Sequence, residues 1–213
     1  MTRSIIKNGL ILALFAILTT GLIATTFFAT KDQIDLQRQQ KLITTLDALV
    51  PPESYNNSMQ NDCVIVYSRE YLGSNEAKHI YRATQNGQAV AAVIETTAPD
   101  GYSGRIELLV GVEGQGQVTA VRVLKHRETP GLGDKVDLRI SDWILSFSGK
   151  TLTTDNDNLW AVKKDGGQFD QFTGATITPR SVVKAVKRAV QYYQIHQTEL
   201  FSAANACDTP VTL

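Results

Sequence analysis

The chain has 213 residues with 21 basic and 21 acidic side chains, so its formal net charge is zero and no basic excess marks a nucleic-acid partner. At 43% hydrophobic and 20% charged it is too apolar for a disordered tail and too polar for a multi-span membrane protein. The length suits one ordinary domain with an appendage.

The appendage comes first. Gly9 to Phe28 reads GLILALFAILTTGLIATTFF, without charge or proline; twenty helical residues at about 1.5 Å each span about 30 Å, the hydrocarbon thickness of a bilayer. Its threonines can bond back to carbonyls one turn earlier. Arg3 and Lys7 precede the span and no acid occurs before Asp32, so the N-terminus is expected to stay cytoplasmic and the remainder to be exported. A cleaved signal peptide is the competing reading. It would have a shorter apolar core and a small-x-small exit site, whereas this run ends in Thr25-Thr26-Phe27-Phe28-Ala29-Thr30.

Lys31 to Val50 continues as a polar helix with apolar points at Ile34, Leu42, Ile43, Leu46 and Leu49, stopped by Pro51-Pro52. Tyr55 to Asp62 reads as a loop. Ile80–Thr84 and Gln88–Thr96 flank Asn86-Gly87, a strong hairpin signal. Ile106, Leu108, Val110 and Val112 alternate with their neighbours, turn through Gly114-Gln115-Gly116, and return along Val118–Leu124. These glycines lie between strands rather than opening a helix, which argues against a dinucleotide fingerprint. A short amphipathic helix is expected over Ser141–Phe147, with Gly149 past its end, and a strand over Leu159–Lys163. Trp143 and Trp160 are expected in the core.

The last helix carries Val182, Val183, Val186, Ala189, Val190 and Tyr193 at helical spacing, with Thr178 expected as its N-cap and Pro179 at its first helical position. Hairpins rather than strand–helix–strand alternation make the exported domain α+β, a mainly antiparallel sheet with flanking helices behind a single transmembrane helix. Cys63 and Cys207 are the only cysteines, and in an oxidising compartment they make a candidate disulfide; two buried free thiols remain the alternative. Far apart and joined by only three scattered histidines, they do not form a metal-ligand spacing.

Residues 170–181 read DQFTGATITPRS, so Thr173, Gly174, Ala175 and Thr176 form a small-residue loop leading into a helix N-terminus. Free N–H groups and the positive end of the helix dipole there favour a phosphate. The same pattern also suits an ordinary loop entering a capped helix. Thr176 has no local base beyond Asp170, so it is not a self-activated nucleophile, and a covalent modification there needs another enzyme.

Asp170-x-x-Thr173-Gly174-Ala175-Thr176 resembles the flavinylation motif of FMN-binding domains, in which the final threonine carries FMN through a phosphoester. The loop Glu128-Thr129-Pro130-Gly131-Leu132-Gly133 is similar to a second signature of that domain, and Ala98-Pro99-x-Gly101-Tyr102-x-Gly104 and Val162-Lys163-Lys164-x-Gly166-Gly167 also fit. With the N-terminal anchor, the whole chain resembles the G subunits of Rnf-type (also called Rsx-type) ion-translocating electron transport complexes.

That resemblance implies covalent FMN on Thr176, with Thr173, Gly174, Ala175, Glu128, Thr129, Gly131, Leu132, Tyr102 and Lys163 as its expected contacts. It implies a redox subunit without independent turnover. Partners would be the other subunits of the complex and a flavin transferase that installs FMN from FAD. The layout would be a cytoplasmic 1–8, a transmembrane helix 9–29, a helical stalk and loop 30–62, and an FMN-binding domain 63–213 on the periplasmic side of a bacterial inner membrane. Two other readings stand beside it: an anchored module holding a phosphorylated ligand non-covalently, and a scaffold subunit with no ligand.

Overall fold

The computed structural model describes residues 2–207; Met1 and residues 208–213, the outer ends of the first and last segments named above, lie outside the described residues. The chain divides into two compact units, Met1–Thr44 and Thr45–Leu213.

The first unit is a single helix. Helix α1 runs unbroken over Thr2–Asp47, so the apolar run and the polar segment after it are one element. Within it, Arg3–Lys31 is long and apolar enough to cross a bilayer. The hydroxyls of Thr19, Thr25, Thr26 and Thr30 each donate to a carbonyl four residues back, at 2.8–2.9 Å. A polar atom satisfied inside its own helix costs little in hydrocarbon, which is how four threonines coexist with a spanning segment.

The second unit is built on a five-stranded antiparallel meander in the order β1-β2-β3-β4-β5 among the described residues. The strands are β1 Cys63–Ser68, β2 Ser74–Gln85, β3 Gln88–Ala98, β4 Ile106–Glu113 and β5 Gln117–Lys125. The β2–β3 turn is Asn86-Gly87, with φ of 52° and 78°, the left-handed pair that a two-residue hairpin matching strand twist demands. Strand β1 and the short helix α2, Arg69–Leu72, are additions to the elements expected from the sequence.

Alternating side chains of each strand leave the sheet on opposite faces. One set, including Ile80, Ile94, Leu108, Val110 and Val121, joins Val182, Val186 and Val190 of helix α3 (Ile177–Ser202) in the main core. The aromatic group Phe147, Trp160 and Phe169 extends that core, with Phe147 and Phe169 stacked at 4.5 Å. Each fully buried aliphatic side chain stabilises by about 1.5–3 kcal/mol, so this face dominates the stability of the unit. On the opposite face lie Leu46, Leu49, Val50 and Met59, all buried. The chain comes very close there. Thr119 Oγ1 donates to the Leu49 carbonyl at 2.5 Å, and a Cβ on Gly111 would lie 2.9 Å from that same oxygen.

Two local expectations need correction. No strand forms over Leu159–Lys163: the chain makes a 3-10 turn at Thr154–Leu159, a lone bridge from Val162 to Phe169, and a second 3-10 turn at Lys163–Asp165. The apolar alternation there reports the burial of Trp160 and Val162 between exposed Leu159 and Lys163, and no neighbouring strand accepts the ladder. The amphipathic turn after Ser141 is a 3-10 helix, Asp142–Phe147, whose Ser141 side chain accepts from the Trp143 N–H.

The C-terminal segment is tied to β1. Cys63 and Cys207 are joined by a disulfide with 5.3 Å between Cα atoms, and Ala206 N–H donates to the Cys63 carbonyl at 2.8 Å. Nearby, buried Arg82 binds Asp62 through Nε at 2.7 Å and donates to the Leu200 and Ala203 carbonyls at 3.1 and 2.6 Å, closing the C-terminus of α3.

Candidate functional site

The start of α3 gathers four loops. Phe172 to Ala175 is a tight turn closed by Ala175 N–H to the Phe172 carbonyl at 3.1 Å, with Gly174 at φ 80° in its third position. Phe172 anchors it inward, edge-on to Trp143 at 5.1 Å, and Trp143 Nε1 donates to the Asp170 carbonyl at 2.8 Å. Thr173 and Gly174 are therefore held at the surface by a buried neighbour.

Thr176 is the N-cap of α3. Its carbonyl accepts the first helical bond, from Arg180 N–H at 3.3 Å, while its side chain makes no capping hydrogen bond. The hydroxyl is half-buried and uncommitted among the described residues. Pro179 has no N–H, so the donors left at this helix end are those of Ile177 and Thr178.

Thr178 does not cap the helix as expected from the sequence. It is the second helical residue, which makes Pro179 the third rather than the first, and it is fully buried, its Oγ1 donating to Glu128 Oε2. A carboxylate fifty residues away in the chain has claimed a hydroxyl that local reasoning gives to the backbone. The other oxygen, Glu128 Oε1, accepts from Ser103 N–H at 3.0 Å. Glu128 is only 5% exposed, so this carboxylate is spent inside the protein. Glu128 N–H donates to His126 Nδ1 at 3.2 Å, which places the imidazole proton on Nε2, facing Asp137 at 3.6 Å. Hydrogen bonds from Arg139 lead in holding the Asp137 carboxyl below its usual range, against the upward pull of burial.

Two glycines make room for Glu128. A Cβ on Gly101 would lie 3.0 Å from Oε1, and one on Gly133 would lie 2.7 Å from Oε2 and 2.8 Å from Thr178 Oγ1. The Thr129 carbonyl accepts from Leu132 and Gly133 N–H at 3.1 and 3.2 Å, folding the loop back at Gly131, φ 77°. That fold places Leu132, 43% exposed, against Gly174: its Cδ2 is 3.6 Å from a Cβ built there.

Thr173, Gly174, Ala175, Thr176, Leu132, Thr129, Gly131 and Glu128 thus fall in one cluster. Lys163 joins it through a 2.5 Å ion pair with Asp170, and Tyr102, 70% exposed, stands beside Ser103 on the neighbouring loop. Two further cations here are also paired, Arg180 with Asp165 at 2.6 Å and Lys184 with Asp100 at 2.8 Å. Hydrogen bonds from Arg180 hold the Asp165 carboxyl low. Ser103, His126 and the Glu128–Thr178 contact escape sequence reasoning, because no local pattern marks a bond between loops.

Residues 101–191 match the family model of the FMN-binding domain, and residues 1–49 match that of the RnfG N-terminal region. The chain is 65% identical over 207 residues, 97% of its length and 96% of the relative's, to the G subunit of the ion-translocating oxidoreductase complex of Pseudoalteromonas atlantica. It is 54% identical to the protein of the same name from Aliivibrio fischeri, over 98% of this chain and all of the relative, and 52% identical to that of Shewanella oneidensis, over 98% of each. Among solved structures, the crystal structure of Shewanella oneidensis NqrC has a TM-score of 0.48 at 22% identity, over 71% of this chain and 74% of that one.

Proposed function

The chain belongs to the G-subunit family of ion-translocating oxidoreductase complexes, and on that premise we propose that it is a membrane-anchored flavoprotein that carries electrons on FMN esterified to Thr176. The observation that carries the attachment is the uncommitted Thr176 hydroxyl at the N-terminus of a 26-residue helix, behind a turn of small residues.

The residues present fit the group. The helix N-terminus offers the Ile177 and Thr178 N–H groups and a positive dipole end to a phosphate. Gly174 keeps side-chain bulk off the turn. Leu132, Ile177 and Tyr102 give exposed apolar surface suited to a flavin ring. Lys163, Arg180 and Lys184 are each engaged by an aspartate, so the phosphate charge rests chiefly on backbone donors and the helix dipole. FMN supplies one- and two-electron redox chemistry when bound, and a covalent link keeps it in place independently of a binding equilibrium. The chain's own residues bind and orient it: Thr176 as the anchor, Thr173, Gly174 and Ala175 as the cradle, Leu132 and Tyr102 beside the ring, Thr129 and Gly131 shaping their loop.

As a subunit, the chain works with the other members of its complex, and a flavin transferase installs the FMN. The domain lies on the periplasmic side, a placement supported by Arg3 and Lys7 ahead of the span and by the Cys63–Cys207 disulfide.

The test compares wild type with Thr176→Val, each co-produced with a flavin transferase, by intact mass and in-gel fluorescence after denaturation. An FMN-sized increment that survives denaturation in wild type and is absent from the variant supports the proposal. Denatured wild type free of flavin, in cells where a known acceptor is labelled, defeats it. Flavin lost on denaturation would favour a non-covalent binding module, and no flavin at all a scaffold.

A further inference from the structure

A carboxylate taken out of water must be met by donors or its burial is strongly destabilising. Glu128 meets that demand with two donors from separate segments, Ser103 N–H on Oε1 and Thr178 O–H on Oε2, and with the positive end of α3, in whose first turn Thr178 lies. Gly101 and Gly133 exclude the side chains that would displace it. The loop around residue 102, the loop over 128–133 and the start of α3 are thereby bonded through one side chain. Thr176 sits two residues before Thr178 in that turn, so whatever fixes Thr178 fixes the direction in which the Thr176 hydroxyl is presented.

We propose that Glu128 is a positioning residue for flavin attachment: without touching the cofactor, its buried carboxylate locks Thr178 and thereby holds Thr176 in the geometry the transferase modifies. This rests on the reading of Thr176 as the attachment site. In that step Thr176 Oγ bonds to the phosphorus of the FMN half of FAD, the pyrophosphate P–O bond breaks, AMP leaves, and the hydroxyl proton passes to solvent. A hydroxyl misplaced by about 1 Å in such a displacement can cost up to about a hundredfold in rate.

Three variants separate positioning from packing. In Glu128→Gln one amide orientation sets the NH2 against the Ser103 N–H and the other keeps an oxygen there but reverses the Thr178 bond, so neither keeps both native bonds, and in either the neutral amide holds Ser103 N–H less tightly than the carboxylate. Thr178→Val preserves volume and removes the bond to Glu128; Thr178→Ser preserves the bond and removes a methyl. If Thr178 serves packing alone, valine is the better substitute; if it transmits position, serine is.

The experiment uses the full chain in detergent, produced without flavin, incubated with purified flavin transferase and FAD below the melting temperature of every variant. It reads kcat and KM for attachment, with backbone hydrogen exchange of the 101–104 segment as a flavin-independent measure. The expected result is an attachment kcat/KM down about tenfold to a hundredfold in Glu128→Gln and Thr178→Val, within about twofold of wild type in Thr178→Ser, and faster exchange at Ser103 in Glu128→Gln. Thr178→Val labelling like wild type, Glu128→Gln labelling like wild type, or unchanged exchange at Ser103 would each overturn the proposal. Wild type that takes no flavin, with the transferase active on a known acceptor, defeats the Thr176 reading and this proposal with it; labelled wild type with an indifferent Glu128→Gln defeats only this one.

Discussion

Removing the Cys63–Cys207 bond, by Cys207→Ala, should cost the folded chain several kcal/mol. The two half-cystines are 144 residues apart, so the bond closes most of the second unit into one loop of the unfolded chain. The loop-entropy relation for that span gives about 5 kcal/mol, an upper figure because unfolded chains retain residual structure. Native contacts at this end do not depend on the bond: Arg82 still holds the Leu200 and Ala203 carbonyls, and Asn205 still accepts from Cys63 N–H at 3.0 Å. The loss should therefore appear in global stability rather than as a frayed tail. Urea unfolding of the full chain in detergent, followed by tryptophan fluorescence, is the assay. With an m-value of about 2 kcal/mol/M, a cost of about 3–5 kcal/mol moves the midpoint down by about 1.5–2.5 M. Wild type under a reductant should match the variant. A midpoint shift below about 0.3 M, with the bond verified in wild type by thiol alkylation, would refute the reasoning and show that this end unfolds separately from the sheet.

Arg82→Met should cost about 3–5 kcal/mol in the same assay, because Asp62 and two helix-end carbonyls lose their partner in a buried setting; a cost under about 1 kcal/mol would mean water replaces it. Gly133→Ala places a methyl 2.7 Å from Glu128 Oε2 and should destabilise by about 1–3 kcal/mol while slowing flavin attachment, read by thermal unfolding and by labelling; wild-type behaviour in both would show that the loop yields freely. The His79–Glu95 pair, 2.9 Å apart, predicts a pH dependence. The hydrogen bond to Glu95 raises the His79 imidazole above 6.5 despite opposing burial, so its contribution is full below that pH and is lost as pH rises through the raised value. Burial pushes the Glu95 carboxyl upward, but the His79 bonds outweigh it and hold the group below 4.5, so its contribution is lost as pH falls through the lowered value. The stability deficit of Glu95→Gln should thus be greatest at about pH 4.5–6.5 and shrink by pH 8; a deficit flat across that range would rule out the pair as its source.

Elements whose cause is local were legible. The Asn86-Gly87 hairpin follows from two residues that tolerate positive φ, the alternating Ile106–Val112 strand from a period of two, and the buried stripe of α3 from a period near 3.6. The membrane segment follows from length and apolarity. The 159–163 stretch shows the limit of such patterns: its alternation is real, yet a strand also needs a neighbour that continues the ladder, and the fold provides there only a short contact with Gln168 and Phe169. The start of α3 shows the same limit at the site. Thr178 followed by Pro179 carries the chemistry of an N-cap, but the residue competing for its hydroxyl lies on another loop.

By itself, then, the sequence determined the apolar span, the hairpins, the amphipathic last helix and the Thr-Gly-Ala-Thr segment that resembles a flavin-bearing motif, since each is written in residues a few positions apart. Tertiary structure alone decided that Glu128 joins Ser103 and Thr178, that Leu132 leans on Gly174, that Lys163, Arg180 and Lys184 are already paired, and that the sheet is covered on both faces. Most of those contacts bridge residues tens of positions apart. The Glu128 bonds exist because burial forces a polar group to find a partner wherever the packed chain supplies one, and the surface ion pairs because the fold brings opposite charges side by side.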